Sequence, residues 1–293
     1  PFTETVQITS RMKELLTLNN FACGYRDGFQ ISGISFSLSK GSFTGIIGPN
    51  GSGKTTLFRG ISGDLPVSAG SFLFKGKELS SLTLREKARE IAVVSQFTER
   101  THISVEEYVL MGRMPYRKPF QFFDKAEDIE IAHHYMQLTG IYRLRDKSMA
   151  ELSGGEQQMA SIASALCQVP SLLLLDEPTS HLDITHHVKF MNLIQKLNDE
   201  LKLSVIMIVH DLTLAAEYCD YLVMMKNGRI EWQGDPESVL TYEQIERVYD
   251  TVVVVGKNPV SGKPAIFPVS ERILNGLKKL TDQIGNQDKK TSL

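Results

Sequence analysis

The chain has 293 residues, 42% of them hydrophobic, and a formal net charge of −2 at pH 7. This size allows a large core in one or two domains, and the near-zero charge excludes a strong general attraction to nucleic acid or anionic lipid. Three cysteines, Cys23, Cys167 and Cys219, lie far apart without CxxC spacing, so we expect buried thiols in a cytosolic chain. No apolar run approaches the roughly 20 residues that cross a bilayer, and we expect membrane contact only through a partner.

Short apolar segments alternate with helical patterns, and this alternation predicts an α/β fold with a mainly parallel sheet. A buried strand, FTGIIG, leads into a glycine-rich turn and the helix KTTLFRGIS, while IAVVS, SLLLLD and SVIMIVH predict further strands. The stretch YLVMMKNGRIEWQG predicts a hairpin, because Asn227-Gly228 between two apolar runs suits a tight turn.

Between Gln96 and about Leu166 the pattern changes to amphipathic helices. One of them places Ile129, Ala132 and Met136 on a single face, which predicts a helical insertion into the α/β core. Toward the end of the chain, VVVVGKNPVSGKPAIFPV predicts a small β extension, followed by a tail that we interpret as a surface helix with a frayed end.

A phosphate-binding loop is predicted by GPNGSGKTT, which matches the pattern G-x-x-x-x-G-K-[ST] between a predicted strand and a predicted helix. A tight turn without a ligand would explain the glycines but not the Lys54-Thr55 pair. Lys54 is expected to reach the β- and γ-phosphates of ATP, and the Thr55 hydroxyl to hold Mg²⁺. The predicted nucleotide-binding residues are Gly48, Pro49, Asn50, Gly51, Ser52, Gly53, Lys54, Thr55 and Thr56.

Two carboxylates follow the leucine-rich strand in LLLLDEP. Ligands of open α/β sheets bind at the carboxyl ends of the strands, so we expect Asp176 to face Mg²⁺ through water. Glu177 is suited to activate the attacking water as a general base. The alternative, two carboxylates that only cap a strand end, leaves the nearby phosphate loop unexplained.

Together, these motifs resemble the ATPase subunits of ABC transporters, and the match runs over roughly residues 15–249. The specific part is LSGGEQQ, Leu152 to Gln158, followed by LLLLDEP. The resemblance implies an α/β P-loop NTPase (RecA-like) core with a mainly parallel sheet, an antiparallel β subdomain and an inserted α-helical subdomain. The corresponding ranges are 12–96 and 167–250 for the core, 97–166 for the helical subdomain, and 251–293 for a C-terminal extension and tail.

In this family, LSGGE is the signature motif, which binds the γ-phosphate of an ATP held by the other subunit of a head-to-tail dimer. The resemblance therefore implies that a second copy of the chain completes each site. Ser153 could also be the N-cap of the following helix, and the two roles are compatible. The signature residues are Ser153, Gly154, Gly155 and Glu156.

Four further positions match family motifs. Gln96 resembles the Q-loop glutamine, which touches Mg²⁺ and the attacking water, and His210 resembles the switch histidine that contacts the γ-phosphate. Asp183 resembles the D-loop aspartate that communicates across the dimer. Tyr25 fits either the aromatic residue that stacks on adenine or an ordinary strand aromatic.

The chain departs from the family where arginines usually follow the signature. Gln157, Met159 and Ser164 stand at those positions. We expect altered pairing on the helix surface and little loss of chemistry, because these positions flank the signature. Glu177 is intact, which argues against a site that cannot hydrolyse ATP.

Several stretches, among them VLMGRMPY, TSHLDITHH and ESVLTYEQIERVYD, resemble the subfamily that imports ferric siderophores, haem or cobalamin. The resemblance implies separate transmembrane permease subunits, an extracytoplasmic substrate-binding protein, and a peripheral position on the cytoplasmic face of the membrane. Two alternatives remain: an ABC-type ATPase not coupled to transport, and a regulatory subunit that binds ATP without turnover. A single motif set without sustained heptads disfavours the first, and the intact Glu177 and His210 disfavour the second.

Overall fold

A computed structural model describes residues 14–26, 28–95, 101–121, 123–178 and 183–274. In these residues, strands and helices alternate as predicted for an α/β fold. The strands are β1 (Glu14–Gly24), β2 (Gln30–Ser39), β3 (Phe43–Ile47), β4 (Val67–Phe74), β5 (Lys77–Glu78), β6 (Ile91–Val94), β7 (Leu172–Leu175), β8 (Ser204–Ile208), β9 (Tyr221–Lys226), β10 (Arg229–Gly234), β11 (Val253–Lys257) and β12 (Pro264–Pro268).

The helices lie between these strands, and within the described ranges none is long and apolar enough to cross a membrane. They are α1 (Lys54–Ser62), α2 (Leu84–Glu90), α3 (Val105–Leu110), α4 (Ala126–Leu138), α5 (Gly154–Cys167), α6 (Ile184–Leu201), α7 (Leu212–Tyr218), α8 (Pro236–Val239) and α9 (Tyr242–Tyr249).

The central sheet has six strands in the order β10-β9-β3-β8-β7-β6, and the strands from β9 to β6 are parallel. The predicted strands and the β9–β10 hairpin are confirmed. Every residue of β3, β7 and β8 is buried, because both faces of the sheet are covered. The carboxyl ends of β3, β7 and β8 meet at one edge, where the phosphate loop, Asp176 and His210 follow them.

The two faces of the central sheet belong to different cores. Leu172 and Leu174 point into a core shared with α1 and with an antiparallel sheet of order β2-β1-β4-β5. Leu173 and Leu175 point into a core formed with α6 and α7. The alternation along β7 is the two-residue period of a strand. The antiparallel pairing of β2-β1-β4-β5 confirms the predicted antiparallel β subdomain.

The inserted helical subdomain consists of α3, α4 and α5 around a small core of its own. Ala132 and Met136 are buried in that core and Ile129 packs against it, which confirms the predicted apolar face. A buried ion pair joins Arg113 Nε to Asp128 Oδ1 at 2.7 Å. The same guanidinium donates to the carbonyl oxygen of Cys167 at the end of α5, and it thereby ties the subdomain to the helix that leads back to the core.

The predicted β extension forms a hairpin of β11 and β12 that packs against the main core through Val253, Val255 and Ile266. This part of the extension is therefore continuous with the core. The predicted tail helix lies mostly outside the described residues.

The three cysteines are buried and free, as expected. Burial raises the pKa of Cys23 to about 11 and that of Cys167 to about 12. Both thiols are therefore protonated at neutral pH, and their role is packing.

Candidate active site

The phosphate loop connects β3 to α1, and the nine predicted residues lie in this connection and in the first three positions of the helix. Gly48 has a φ of 146°, and a Cβ there would lie 2.3 Å from the carbonyl oxygen of Met225, so a larger residue would clash with β9. Gly53 is the N-cap of α1 and has a φ of 102°. Because glycine has no side chain, it cannot cap the free N–H groups at the helix start. The helix start is thus left open to an anion, and helix N-termini bind phosphate.

Lys54 is folded into this loop and is only 5% exposed. Its ammonium donates to the carbonyl oxygens of Gly48, at 2.8 Å, and Pro49, at 3.0 Å. Burial lowers the pKa of Lys54, while the charges of Glu177 and Asp176 oppose that shift. Phosphate oxygens would give this cation stronger, charge-assisted partners than carbonyls do.

The loop also holds a buried polar atom without a partner. Ser52 is 2% exposed, and its hydroxyl makes no hydrogen bond within the described part of the chain. Buried polar atoms are nearly always paired, so an unpaired hydroxyl beside open amides indicates a ligand rich in oxygen atoms. The loop therefore fits the phosphate chain of ATP.

Asp176 lies beyond the end of β7 in a partly buried position. Burial raises the pKa of Asp176, the neighbouring Glu177 charge raises it further, and three cationic side chains, led by Arg59, oppose the shift. A nearby cation would stabilise the ionised form of this carboxylate.

Thr55 and Asp176 line one cavity of about 610 Å³. Both carry oxygen ligands of the kind that Mg²⁺ prefers. Where the chain is described, no group of three or more His, Cys, Asp or Glu side chains could hold a metal by itself. The pair therefore fits Mg²⁺, which usually takes one or two protein ligands together with phosphates and water.

Glu177 and His210 meet at this edge of the sheet. His210 Nε2 lies 2.6 Å from Glu177 Oε1, and the Glu177 side chain is 22% exposed. β7 and β8 are hydrogen-bonded parallel neighbours, so their carboxyl ends bring the two side chains together. Glu177 has a φ of 47°, a conformation that non-glycine residues rarely adopt and that is often found at functional sites.

Two aromatic side chains flank the phosphate loop. Tyr25 lines the 610 Å³ cavity, and its hydroxyl accepts a hydrogen bond from Arg59 Nη1 at 2.9 Å. Phe29, 44% exposed, lines a second cavity of about 350 Å³ with Gly51, Gly53 and other loop residues. The sequence analysis missed Phe29, because it follows the end of β1 outside any motif and only the folded chain brings it to Gly53.

The signature segment begins α5, with Ser153 as the N-cap. The Glu156 carboxylate accepts hydrogen bonds from the backbone N–H of Ser153, at 2.8 Å, and from its hydroxyl, at 2.7 Å, and these bonds lower the pKa of Glu156. Space is open around Gly154, where a Cβ would meet no atom within 4 Å. None of Ser153, Gly154, Gly155 and Glu156 lines the two cavities beside the phosphate loop. One chain thus keeps its phosphate loop and its signature segment apart.

Of the two remaining predicted residues, Asp183 is the N-cap of α6. Its carboxylate accepts the backbone N–H of His186 at 2.8 Å and lies 2.9 Å from the His186 ring. Gln96 lies outside the described residues.

The residues that stand at the positions of the family arginines after the signature make contacts inside the helical subdomain. Gln157 Nε2 donates to the carbonyl oxygen of Met149 at 3.0 Å, and the Ser164 hydroxyl donates to that of Tyr108 at 3.2 Å. Met159 packs against the core of the helical subdomain. All three side chains thus make contacts within the subdomain, and the expected change in pairing on the helix surface stays a prediction.

A phosphate cradle on one strand end, with paired carboxylates and a histidine on the next two, defines a P-loop nucleotide hydrolase. The profile of the ABC transporter family matches residues 31–180. The chain belongs to this family and is one of its ATP-binding subunits, which hydrolyse ATP to drive transport.

Individual relatives agree with this assignment. The ferric enterobactin transport ATP-binding protein FepC of Escherichia coli is 37% identical over 247 residues, which cover 84% of this chain and 91% of that protein. YvrA of Bacillus subtilis, an uncharacterized ABC transporter ATP-binding protein, is 40% identical over 251 residues. These residues cover 85% of this chain but only 57% of YvrA. A solved ATP-binding cassette of an ABC transporter in its ADP conformation superposes with a TM-score of 0.73 at 28% identity, covering 81% of this chain and 98% of that one.

Proposed function

We propose that this chain powers the import of a ferric siderophore, haem or cobalamin through a separate permease on the cytoplasmic face of the membrane, with an extracytoplasmic binding protein delivering the cargo. The likeness to FepC over 91% of that protein supports a ferric siderophore as the first choice. The same likeness supports a role in transport over that of an uncoupled ATPase.

ATP binds with its phosphates on the open start of α1. Lys54 exchanges the carbonyls of Gly48 and Pro49 for the β- and γ-phosphates. Thr55 and Asp176, which line the same cavity, would hold Mg²⁺. When bound, Mg²⁺ neutralises charge on the phosphate oxygens. Lys54 adds a buried positive charge, which counts for more there than in water because the surrounding dielectric is low.

One observation above all supports the assignment of ATP hydrolysis to this site: His210 and Glu177 are in contact at 2.6 Å beside the phosphate loop. The Glu177 carboxylate accepts a proton from water, the water oxygen bonds to the γ-phosphorus, and the bond from that phosphorus to ADP breaks. His210 orients the carboxylate and donates a hydrogen bond to the departing γ-phosphate. Gln96 contributes to holding the water and Mg²⁺.

The site is completed by a second copy of the chain in a head-to-tail dimer. The Ser153 hydroxyl and the amides of Gly154 and Gly155 face the γ-phosphate held by the partner copy, and Glu156 secures the helix start. The open space around Gly154 supports this role, because an anion can approach the backbone there. Asp183, at the start of α6, transmits closure from one copy to the other, and Tyr25 stacks on adenine.

Uptake measurements test the proposal directly. In a strain that lacks this chain, we expect loss of uptake of one of three labelled cargoes, ferric siderophore, haem or cobalamin. The wild-type chain should restore it and Glu177→Gln should not. Normal entry of all three cargoes, with no second ATPase able to substitute, would overturn the transport assignment and favour the uncoupled ATPase.

A further inference from the structure

The C-terminal hairpin of β11 and β12, residues 253–268, packs against α7, the helix that begins two residues after His210. It lies outside the range matched by the family profile, residues 31–180. Its apolar side packs on the main core through Val255 and Ile266. The contacts with α7 are more specific than this packing.

One end of α7 is held by polar contacts from the hairpin turn. Lys263 Nζ donates to the carbonyl oxygen of Glu217 at 2.5 Å. The Glu217 carboxylate accepts hydrogen bonds from the Ser261 hydroxyl at 2.7 Å and from the Asn258 amide at 3.2 Å. A lysine on a late helical carbonyl also faces the negative end of the helix dipole.

The other end of α7 is held by β12. The backbone N–H of Ile266 donates to the Thr213 hydroxyl at 3.1 Å. The backbone N–H of Thr213 in turn donates to the Asp211 carboxylate at 2.8 Å. Asp211 is the N-cap of α7 and the immediate neighbour of His210. A continuous chain of contacts thus runs from the hairpin to the histidine that touches Glu177.

The position of His210 depends on both of its flanks. On one side, β8 is fully buried within the parallel sheet. The backbone N–H of Val209 donates to the carbonyl oxygen of Ile46 and so continues the pairing of β8 with β3 up to His210. On the other side, α7 has only seven residues. A helix this short is unstable by itself in water and depends on its packing partners. The hairpin supplies several of those partners.

We infer that the C-terminal hairpin is a positioning element of the ATPase site, and that Thr213 is a positioning residue which holds the first turn of α7, and with it His210, against Glu177. This inference rests on the proposed role of His210 in hydrolysis. It adds that residues far beyond the family motifs set the catalytic geometry.

The test is steady-state ATP hydrolysis by the purified full chain and its variants. Thr213→Val keeps the side-chain shape but leaves the Ile266 N–H without its acceptor, whereas Thr213→Ser keeps the hydroxyl. We expect Thr213→Val to lower kcat by about three- to tenfold with KM unchanged, and Thr213→Ser to retain kcat. Val260→Ser, at the hairpin tip and 94% exposed in the wild type, is the control that leaves hydrolysis unchanged.

A double variant separates positioning from general stability. If Thr213 acts through His210, Thr213→Val should lower the residual hydrolysis of His210→Ala little or not at all. A full additional loss in that background, a wild-type kcat in Thr213→Val, or an equal loss in Thr213→Ser would overturn the inference. Wild-type hydrolysis by His210→Ala would overturn the role of His210 itself and this inference with it.

Discussion

The two helix starts that we propose to bind phosphate differ in how they are capped. α1 begins after Gly53 without a side-chain cap, and its first residue, Lys54, is buried in the loop. α5 begins after Ser153, which pairs with Glu156 in a capping box, and the space around the next residue, Gly154, is open. The first start therefore has no side-chain cap, whereas the second is capped within its own chain.

In the proposed mechanism, the two regions have different tasks. An uncapped start with a buried lysine is a binding site already assembled in one chain, so the α1 region governs affinity for the nucleotide. We propose that the self-capped start on the surface contributes only when another copy brings it to the phosphate, so that the α5 region governs the rate of hydrolysis. The following predictions test this division, from the largest expected effect to the smallest.

The largest effect is expected for Glu177→Gln, because glutamine cannot accept the proton from water. Hydrolysis should fall by roughly 10²–10⁴-fold, while ATP binding to the loop is retained. Under saturating Mg-ATP, size-exclusion chromatography should show an ATP-dependent dimer. Glu200→Gln, on the exposed face of α6, is the matched control with normal hydrolysis. Hydrolysis close to wild type in Glu177→Gln would remove Glu177 as the base.

Ser153→Ala is expected to lower hydrolysis by about tenfold or more, because a hydrogen bond to charged phosphate is lost. The chain offers a matched control, since Ser104 and Glu107 form the same capping box at the start of α3. Both alanine variants should lose about 1 kcal/mol of unfolding free energy with the cap, as measured by denaturant titration. Only Ser153→Ala should lose hydrolysis, and equal losses in the two variants would mean that Ser153 is only a cap.

Tyr25→Leu should weaken ATP binding by about 1–3 kcal/mol if the ring stacks on adenine. Binding of inorganic tripolyphosphate, which has no base, should be unchanged, and calorimetry measures both. Phe29→Leu is the comparison, because Phe29 lines the other side of the loop. A selective loss of ATP binding in Phe29→Leu, with none in Tyr25→Leu, would assign the stacking platform to Phe29.

The smallest effect is expected for Asp176→Asn, on the thermal stability of the chain without bound nucleotide. The pKa of Asp176 lies above its ordinary value of 3.8 because of burial, so the folded chain holds that proton more tightly than the unfolded chain does. The stability from this protonation is therefore present at low pH and is lost as pH rises through the folded pKa. Asp176→Asn should raise Tm at pH 7 by roughly 2–4 °C, and the gain should shrink toward acid pH. A lower Tm for Asp176→Asn at pH 7 would show that its charge stabilises the empty site.

The sequence was most informative where function and local structure depend on the same few residues. The phosphate loop, β7 with its two carboxylates and the N-cap at Ser153 could be predicted, because each depends on a spacing of less than about ten residues in the chain. The parallel sheet then places Asp176, Glu177 and His210 at one edge without further information.

What the sequence did not reveal depends on long-range contacts. Phe29 reaches Gly53 only through the packing of separate elements. The bond from Ile266 to Thr213 joins residues 53 positions apart. No period or motif encodes such contacts, so the hairpin could be predicted as a β extension but not as a support for α7.

The central claim, that each ATPase site is shared between two copies, is tested most directly by mixing two impaired variants. Lys54→Ala removes the loop half of a site and Ser153→Ala removes the signature half, so each homodimer has two damaged sites. In a mixed dimer, one site combines an intact loop with an intact signature. The account predicts that mixing equal amounts restores up to about a quarter of wild-type hydrolysis, since half of the dimers are mixed and each has one intact site. A mixture no more active than the sum of the two separate variants would contradict it.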